Sequence, residues 1–218
     1  MPRNARIVAP GLPHHVTQRG NRRQQTFFSD HDYAAYRDLL SDRCKAHGVQ
    51  VLAWCLMPNH VHLALVPSTE TSLRTALGET HAAYTRRINR REGWRGFLWQ
   101  GRFSSVVMDE RHLLAAARYI ELNPVRARLV DAPRDWRWSS ARAHLTARPD
   151  GLVDIDPLLE RLPDWAEFLA GDMPDGELDA IRAAERTGRP LGADAFIARL
   201  EAELGVSLTA RPRGRPPR

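Results

Sequence analysis

Two histidines one residue apart, His60 and His62, stand in an otherwise apolar run from Leu52 to Val66. Side chains alternate faces along an extended strand, so His-x-His sends both imidazoles to one face while Val61, Leu63 and Leu65 fill the other. Two imidazoles on one face are half of a metal site. The turn signal Met57-Pro58-Asn59 places the pair at the start of a second strand, near a sheet rim open to solvent. A helix over residues 110–123 supplies the remaining groups. Asp109 and Glu110 suit its positive end, Leu113, Ala117 and Ile120 form its apolar stripe, and Pro124 stops the winding. Tyr119 lies about 100° round from Ile120, so the core need not consume it, and Asn123 follows at i+4 on the same face. Two imidazoles and the Asn123 carbonyl make a nitrogen and oxygen donor set with open positions, which favours Mg²⁺ or Mn²⁺ and leaves room for a phosphate. Tyr119 would then face the polarised phosphorus. A zinc hydrolase is the alternative reading of His-x-His. Zinc sites recruit a third His, Cys or carboxylate, however, and Cys44 and Cys55 lack C-x-x-C spacing and read as buried thiols.

The elements that must position these groups follow from periodicity. Strands are expected over 14–20, 50–56, 60–66 and 102–108, and helices over 31–47, 71–90 and 110–123. The order β-α-β-β-α-β-α fits an α+β fold with a ferredoxin-like antiparallel sheet. Tyr33, Tyr36 and Tyr84 fall in core-helix spacing and read as packing residues, which leaves Tyr119 as the tyrosine open to chemistry. Residues 124–150 carry Trp136 and Trp138 and read as a wrapped connection.

Five blocks, in order, resemble one family: Pro13-His-His-Val-Thr-Gln-Arg-Gly-Asn-Arg-Arg23, Met57-Pro-Asn-His-Val-His62, Leu98-Trp-Gln-Gly-Arg-Phe103, Arg118-Tyr-Ile-Glu-Leu-Asn-Pro-Val-Arg-Ala127 and Trp138-Ser-Ser140. Together they are similar to the single-tyrosine HUH transposases, and more narrowly to the REP-associated tyrosine transposases. The resemblance implies the same fold, His60 and His62 as the metal-binding pair, Asn123 as third ligand where relatives often carry glutamine, and Tyr119 as nucleophile. It implies cleavage of single-stranded or hairpin DNA through a 5′-phosphotyrosine, with a free 3′-hydroxyl that reverses the step. A hairpin-binding regulator without cleavage, and an RNA-directed hydrolase on the same metal site, are the other readings. The resemblance is compatible with a monomer or a homodimer.

Charge is distributed unevenly. Residues 1–150 hold 23 basic and 13 acidic side chains, whereas residues 151–210 hold 5 and 13. The first segment is expected to be the catalytic domain. Arg19, Asn21, Arg22 and Arg23 in a Gly-Asn turn, Arg102, and Arg126 and Arg128 beyond the Tyr119 helix read as a groove that tracks a nucleic-acid backbone. Trp99 and Phe103 either stack on unpaired bases or belong to the core. Residues 151–210 read as an acidic helical extension, with one short helix around Leu158 to Leu169, an interruption at Pro174 and Gly176, and a second helix over 195–204. Its charge is expected to make it pack away from the substrate or bind a partner. Residues 211–218 form a basic tail in which Arg213 and Arg215 resemble an AT-hook suited to a narrow minor groove. No apolar stretch follows Met-Pro-Arg-Asn-Ala-Arg, and no window reaches the roughly 18 apolar residues of a membrane span. The cytoplasm, at the nucleoid, is therefore the expected location.

Overall fold

The computed structural model describes residues 6–174 and 176–208. Four strands, β1 (His14–Arg19), β2 (Val49–Met57), β3 (His60–Pro67) and β4 (Ser104–Val107), form one antiparallel sheet in the order β2-β3-β1-β4. With α1 (Asp30–Ala46) between β1 and β2, and α2 (Ser72–Glu92) between β3 and β4, this is the ferredoxin-like arrangement. The hairpin turn is only Pro58-Asn59, because Met57 pairs with His60.

Strand β2 is buried at every position except Gln50, so the sheet is covered on both faces. One face packs Val16, Val61, Leu63 and Leu65 against α1 and α2, with Tyr36 and Tyr84 in the same core. The other packs Cys55, Ala64 and Val106 beneath α3 (Glu110–Glu121) through Ala116, Ala117 and Ile120. Asp109 caps α3 by accepting from the His112 amide at 3.0 Å. Pro124 does not end the winding as expected. Leu122 keeps helical dihedrals, and Pro124 sits in the first turn of a new short helix, α4 (Asn123–Arg126), where its missing N–H costs nothing.

Residues 124–150 wrap the edge of β2 as expected. Leu56 donates its amide to Trp138 O at 2.8 Å, and Trp54 and Ser140 exchange backbone and side-chain bonds. Helix α5 (Ala141–Thr146) follows. The expected helix around 158–169 is two, α6 (Asp156–Leu159) and α7 (Trp165–Ala170), and α9 (Asp194–Leu204) lies where the second helix was read. Between them is α8 (Glu177–Thr187), which the Pro174 and Gly176 signals had hidden. It packs against α3 and β4.

Candidate active site

Register decides which groups meet. His60 pairs with Arg19 and His62 with Thr17, so both imidazoles lie on the face that α3 covers. His15, two residues before Thr17 on β1, joins that face. Its Nε2 is 3.1 Å from His62 Nδ1, and the rings stack at 5.4 Å. His60 is held differently, with Nδ1 at 2.6 Å from Asn59 Oδ1, while Asn59 Nδ2 donates to Arg23 O. Burial, with the neighbouring imidazole and Arg19 adding to it, lowers the pKa of His60 to about 3. Burial likewise lowers His15 and His62 to about 3. All three imidazoles are therefore neutral at ordinary pH and keep a lone pair for a cation.

Tyr119, on the last turn of α3, reaches this cluster. Its ring stands edge-on to His62 at 5.4 Å and to His15 at 5.9 Å. The guanidinium of Arg126 lies over the ring at 4.3 Å, and Arg126 also donates to Tyr119 O. Burial raises the phenol's pKa and Glu185 pushes the same way, while Arg126, Arg182 and a hydrogen bond from Arg182 pull it down. The phenol is not free of packing. Tyr119 is 8% exposed, enclosed with Ala115 and Ile181.

Ile181, Arg182 and Glu185 all belong to α8. The acidic extension thus covers the histidines and Tyr119 instead of lying remote from them. Leu178, Ile181 and Ala184 form the stripe of α8, and Ser104 Oγ on β4 donates to Glu185 O at 3.2 Å. Glu185 Oε1 lies 3.4 Å from His62 Nδ1 and 3.6 Å from His15 Nε2. Neither His15 nor Glu185 stood out in the sequence as a site residue. The legible signal for α8 was Glu177 and Asp179 in a first turn, an apolar stripe, and Gly188 as a left-handed C-cap.

The profile of the family described as "Transposase IS200 like" matches residues 10–123, from just before β1 to the first residue of α4. The chain belongs to that family. A protein of Haemophilus influenzae named as a REP-associated tyrosine transposase is 25% identical over 116 residues, which is 48% of this chain and 66% of that relative, just under two thirds. The solved structure of a REP-associated tyrosine transposase bound to a REP hairpin is similar in fold, with a TM-score of 0.60 and 22% identity over 80% of this chain and 94% of that one. The resemblance read in the five sequence blocks is the same one. Helix α8 and Glu185 lie beyond the segment that the family profile matches.

Other groups of this member of the IS200-like family fall into place around the cluster. A cavity of about 160 Å³ is lined by Thr17, Gln18, Arg19, His60, His62 and Glu185, with Arg102 at its rim. Arg22, Arg23, Arg102, Arg126 and Arg128 are exposed, and Arg22, Arg23 and Arg128 have positive φ. Gly20 is required in this turn, because a Cβ there would lie 2.3 Å from Gln24 O. Asn21 is half-buried and donates its amide to Leu98 O at 2.8 Å. Trp99 corrects an expectation. It is 6% exposed and packs among Phe27, Tyr36, His81 and Tyr84, so its indole offers no face to a base. Phe103 is buried as well, beneath the Arg6 guanidinium. Arg213 and Arg215 lie outside the described residues.

Asn123 is buried at the start of α4, and its backbone carbonyl accepts from Ala127 N. Among the described residues, no hydrogen bond joins its side chain to His60 or His62; it follows Tyr119 at i+4. Neutral imidazoles on one face, with an amide carbonyl available one helical step beyond Tyr119, fit a divalent cation.

Proposed function

We propose that this transposase cleaves and rejoins single-stranded DNA at hairpin-forming repeats, with Tyr119 as the nucleophile. The observation that carries the reading is the seating of the Tyr119 ring edge-on against His62 at 5.4 Å. A phenol brought from a helix to an imidazole pair on a sheet is the arrangement that attack on a metal-activated phosphodiester needs. The substrate class follows from the relatives, which are named as REP-associated tyrosine transposases, one of them bound to a REP hairpin.

Tyr119 Oη forms a bond to a backbone phosphorus and gives up its proton, the bond from phosphorus to the 3′ oxygen breaks, and that oxygen takes a proton. The products are a 5′-phosphotyrosine and a 3′-hydroxyl, so a second 3′-hydroxyl reverses the reaction with little change in bond energy. Arg126 on the ring and Arg182 at the phenol favour the phenolate against the effect of burial. His60, His62 and Asn123 would hold Mg²⁺ or Mn²⁺, which supplies charge neutralisation at a non-bridging phosphate oxygen. Arg19 lines the cavity with His60 and would bind the same phosphate. Exposed Arg22, Arg23, Arg102 and Arg128 extend the positive surface along the strand. Action on DNA implies the cytoplasm, at the nucleoid. Among the described residues, no helix is long and apolar enough to cross a membrane.

With α8 seated, a phosphodiester meets the phenol only after α8 shifts. That coverage favours a second reading, a hairpin-binding regulator that does not cleave. A 3′-labelled, hairpin-bearing single-stranded oligonucleotide incubated with Mg²⁺ or Mn²⁺ separates the two. Cleavage moves the label into a protease-sensitive protein adduct, and Tyr119→Phe is expected to abolish the adduct while leaving hairpin binding unchanged. An adduct that persists in Tyr119→Phe removes the nucleophile assignment, and binding without any adduct in the unaltered chain selects the regulator.

A further inference from the structure

A second cluster shares His62 with the proposed pair of His60 and His62 but leaves His60 out. His15 Nε2, His62 Nδ1 and Glu185 Oε1 converge from β1, β3 and α8 at separations of 3.1, 3.4 and 3.6 Å. Among the described residues it is the one group of three such side chains whose donor atoms all lie this close. Two features are at odds with a purely structural role. Glu185 Oε1 is a buried carboxylate oxygen with no hydrogen-bond partner, and such an atom is costly unless a donor or a cation meets it. The two imidazole nitrogens facing it are 3.1 Å apart, and as neutral rings they share a single proton between them. Arg126 offsets the charge at longer range but does not reach that oxygen.

We infer that His15, His62 and Glu185 form a binding site for a divalent transition-metal ion of the zinc class, which fastens α8 to the sheet. Two imidazole nitrogens and one carboxylate oxygen are a recurrent donor set for such ions, with a further position left for water. Donors at about 2.1 Å on one tetrahedral ion lie about 3.4 Å apart, and the three separations bracket that value. The site uses Nδ1 of His62 and leaves out His60, whose Nδ1 is tied to Asn59. It also draws on α8, outside the segment shared with the family profile.

The test reads binding alone and so stands apart from the cleavage reading. The full chain, stripped with chelator, is titrated with Zn²⁺ by calorimetry and with Co²⁺ by visible absorption. One ion per chain is expected, with the intense visible bands of four-coordinate Co²⁺. Glu185→Gln is expected to weaken binding about tenfold or more, by analogy with the loss from altering groups around a metal, and to reduce those bands, while circular dichroism shows the fold kept. Glu185→Asp, which keeps the charge but draws the oxygen back, is expected to weaken binding too. His60→Ala is expected to leave the affinity within about threefold, since its ring is outside the donor set. Amide exchange in α8 should slow when the ion is added. Absence of binding by the unaltered chain, unchanged affinity in Glu185→Gln, or an equal or greater loss in His60→Ala overturns the site.

Discussion

Among the described residues, Glu121 and Glu185 are the two carboxylates that lie beside buried histidines, and their surroundings differ in one respect. Glu121 at the end of α3 is fully buried and fully met: Oε1 accepts from Ser140 Oγ and His144 Nδ1, each at 2.6 Å, and Oε2 accepts from Trp165 Nε1 at 2.7 Å. Glu185 on α8 is partly exposed, yet its Oε1 is buried beside two imidazoles and has no donor. Glu121 ties α3 to α5 and α7, with a donor on each of its oxygens. Glu185 ties nothing by itself and keeps its capacity for a ligand. A carboxylate beside a histidine is therefore not evidence of function, and the state of its remaining lone pairs is what separates a brace from a site.

The same isosteric change at both positions gives the largest effect that this comparison implies. Glu121→Gln keeps shape but turns one acceptor into a donor, which must then face either the Trp165 N–H or the pair from Ser140 and His144. Breaking such a buried network by changing one partner costs about 3–5 kcal/mol. Urea denaturation of Glu121→Gln is expected to show a loss in that range, together with weaker attachment of α7. A loss below about 1 kcal/mol, the range of an ordinary surface change, would mean that the network is not a brace and would remove the contrast.

That contrast also explains what was legible in the sequence. The hairpin of β2 and β3 and the histidine pair could be read because turn, strand and register are local, with two residues between Met57 and His60. Tyr119 could be placed by helical periodicity. The Arg118-Tyr-Ile-Glu and Trp138-Ser-Ser140 blocks were visible as motifs, but their joint purpose was not, because Glu121 meets Ser140 and Trp165 only through the fold. Helix α8 was missed for the same reason. Leu178, Ile181 and Ala184 make a short stripe whose partners, Tyr119 and Ala115 among them, are distant in the chain, and Pro174 and Gly176 looked like a break. Charge misled as well: the extension is acidic overall, but Arg182 and Glu185 act as individual groups where they touch the site. Trp99 shows the converse. Its neighbours Gln100 and Arg102 are exposed, and nothing local revealed that the indole turns inward.

An intermediate effect sharpens the comparison through a histidine that has no acid at all. His81 is buried with the Tyr36 hydroxyl 2.9 Å from its Nε2. Burial, with Arg6 adding to it, lowers its pKa to about 3, from an ordinary 6.5. In the unfolded chain this ring takes a proton first as the pH falls, so acid favours unfolding. Stability should decline between about pH 6.5 and 3 with a slope of about 1.4 kcal/mol per pH unit for each such ring. The buried His14, lowered to about 4 by burial, adds to the slope over a shorter window. His81→Gln retains a hydrogen-bonding partner for Tyr36 and is expected to flatten the curve by one ring's share. Urea midpoints measured from pH 7 to 4 provide the check, and an unchanged slope would show that His81 is not held neutral.

The smallest effect is the most informative, because it is small for a stated reason. Glu185→Gln without added metal replaces an oxygen that no donor meets, so no partner is left unpaired, and the stability change is expected to stay within about 1 kcal/mol. With Zn²⁺ present the two proteins should part. An ion that binds only the folded state adds about 2.7 kcal/mol at a free concentration of 100 times its Kd; the unaltered chain should gain this, while Glu185→Gln should gain little at the same concentration. The coupling between substitution and ion is thus the quantity that distinguishes Glu185 from Glu121, where metal should change nothing. If Glu185→Gln proved as damaging without metal as Glu121→Gln, then Oε1 would have to be braced by a contact as strong as those around Glu121, and the buried orphan oxygen would lose its meaning as the mark of a ligand site.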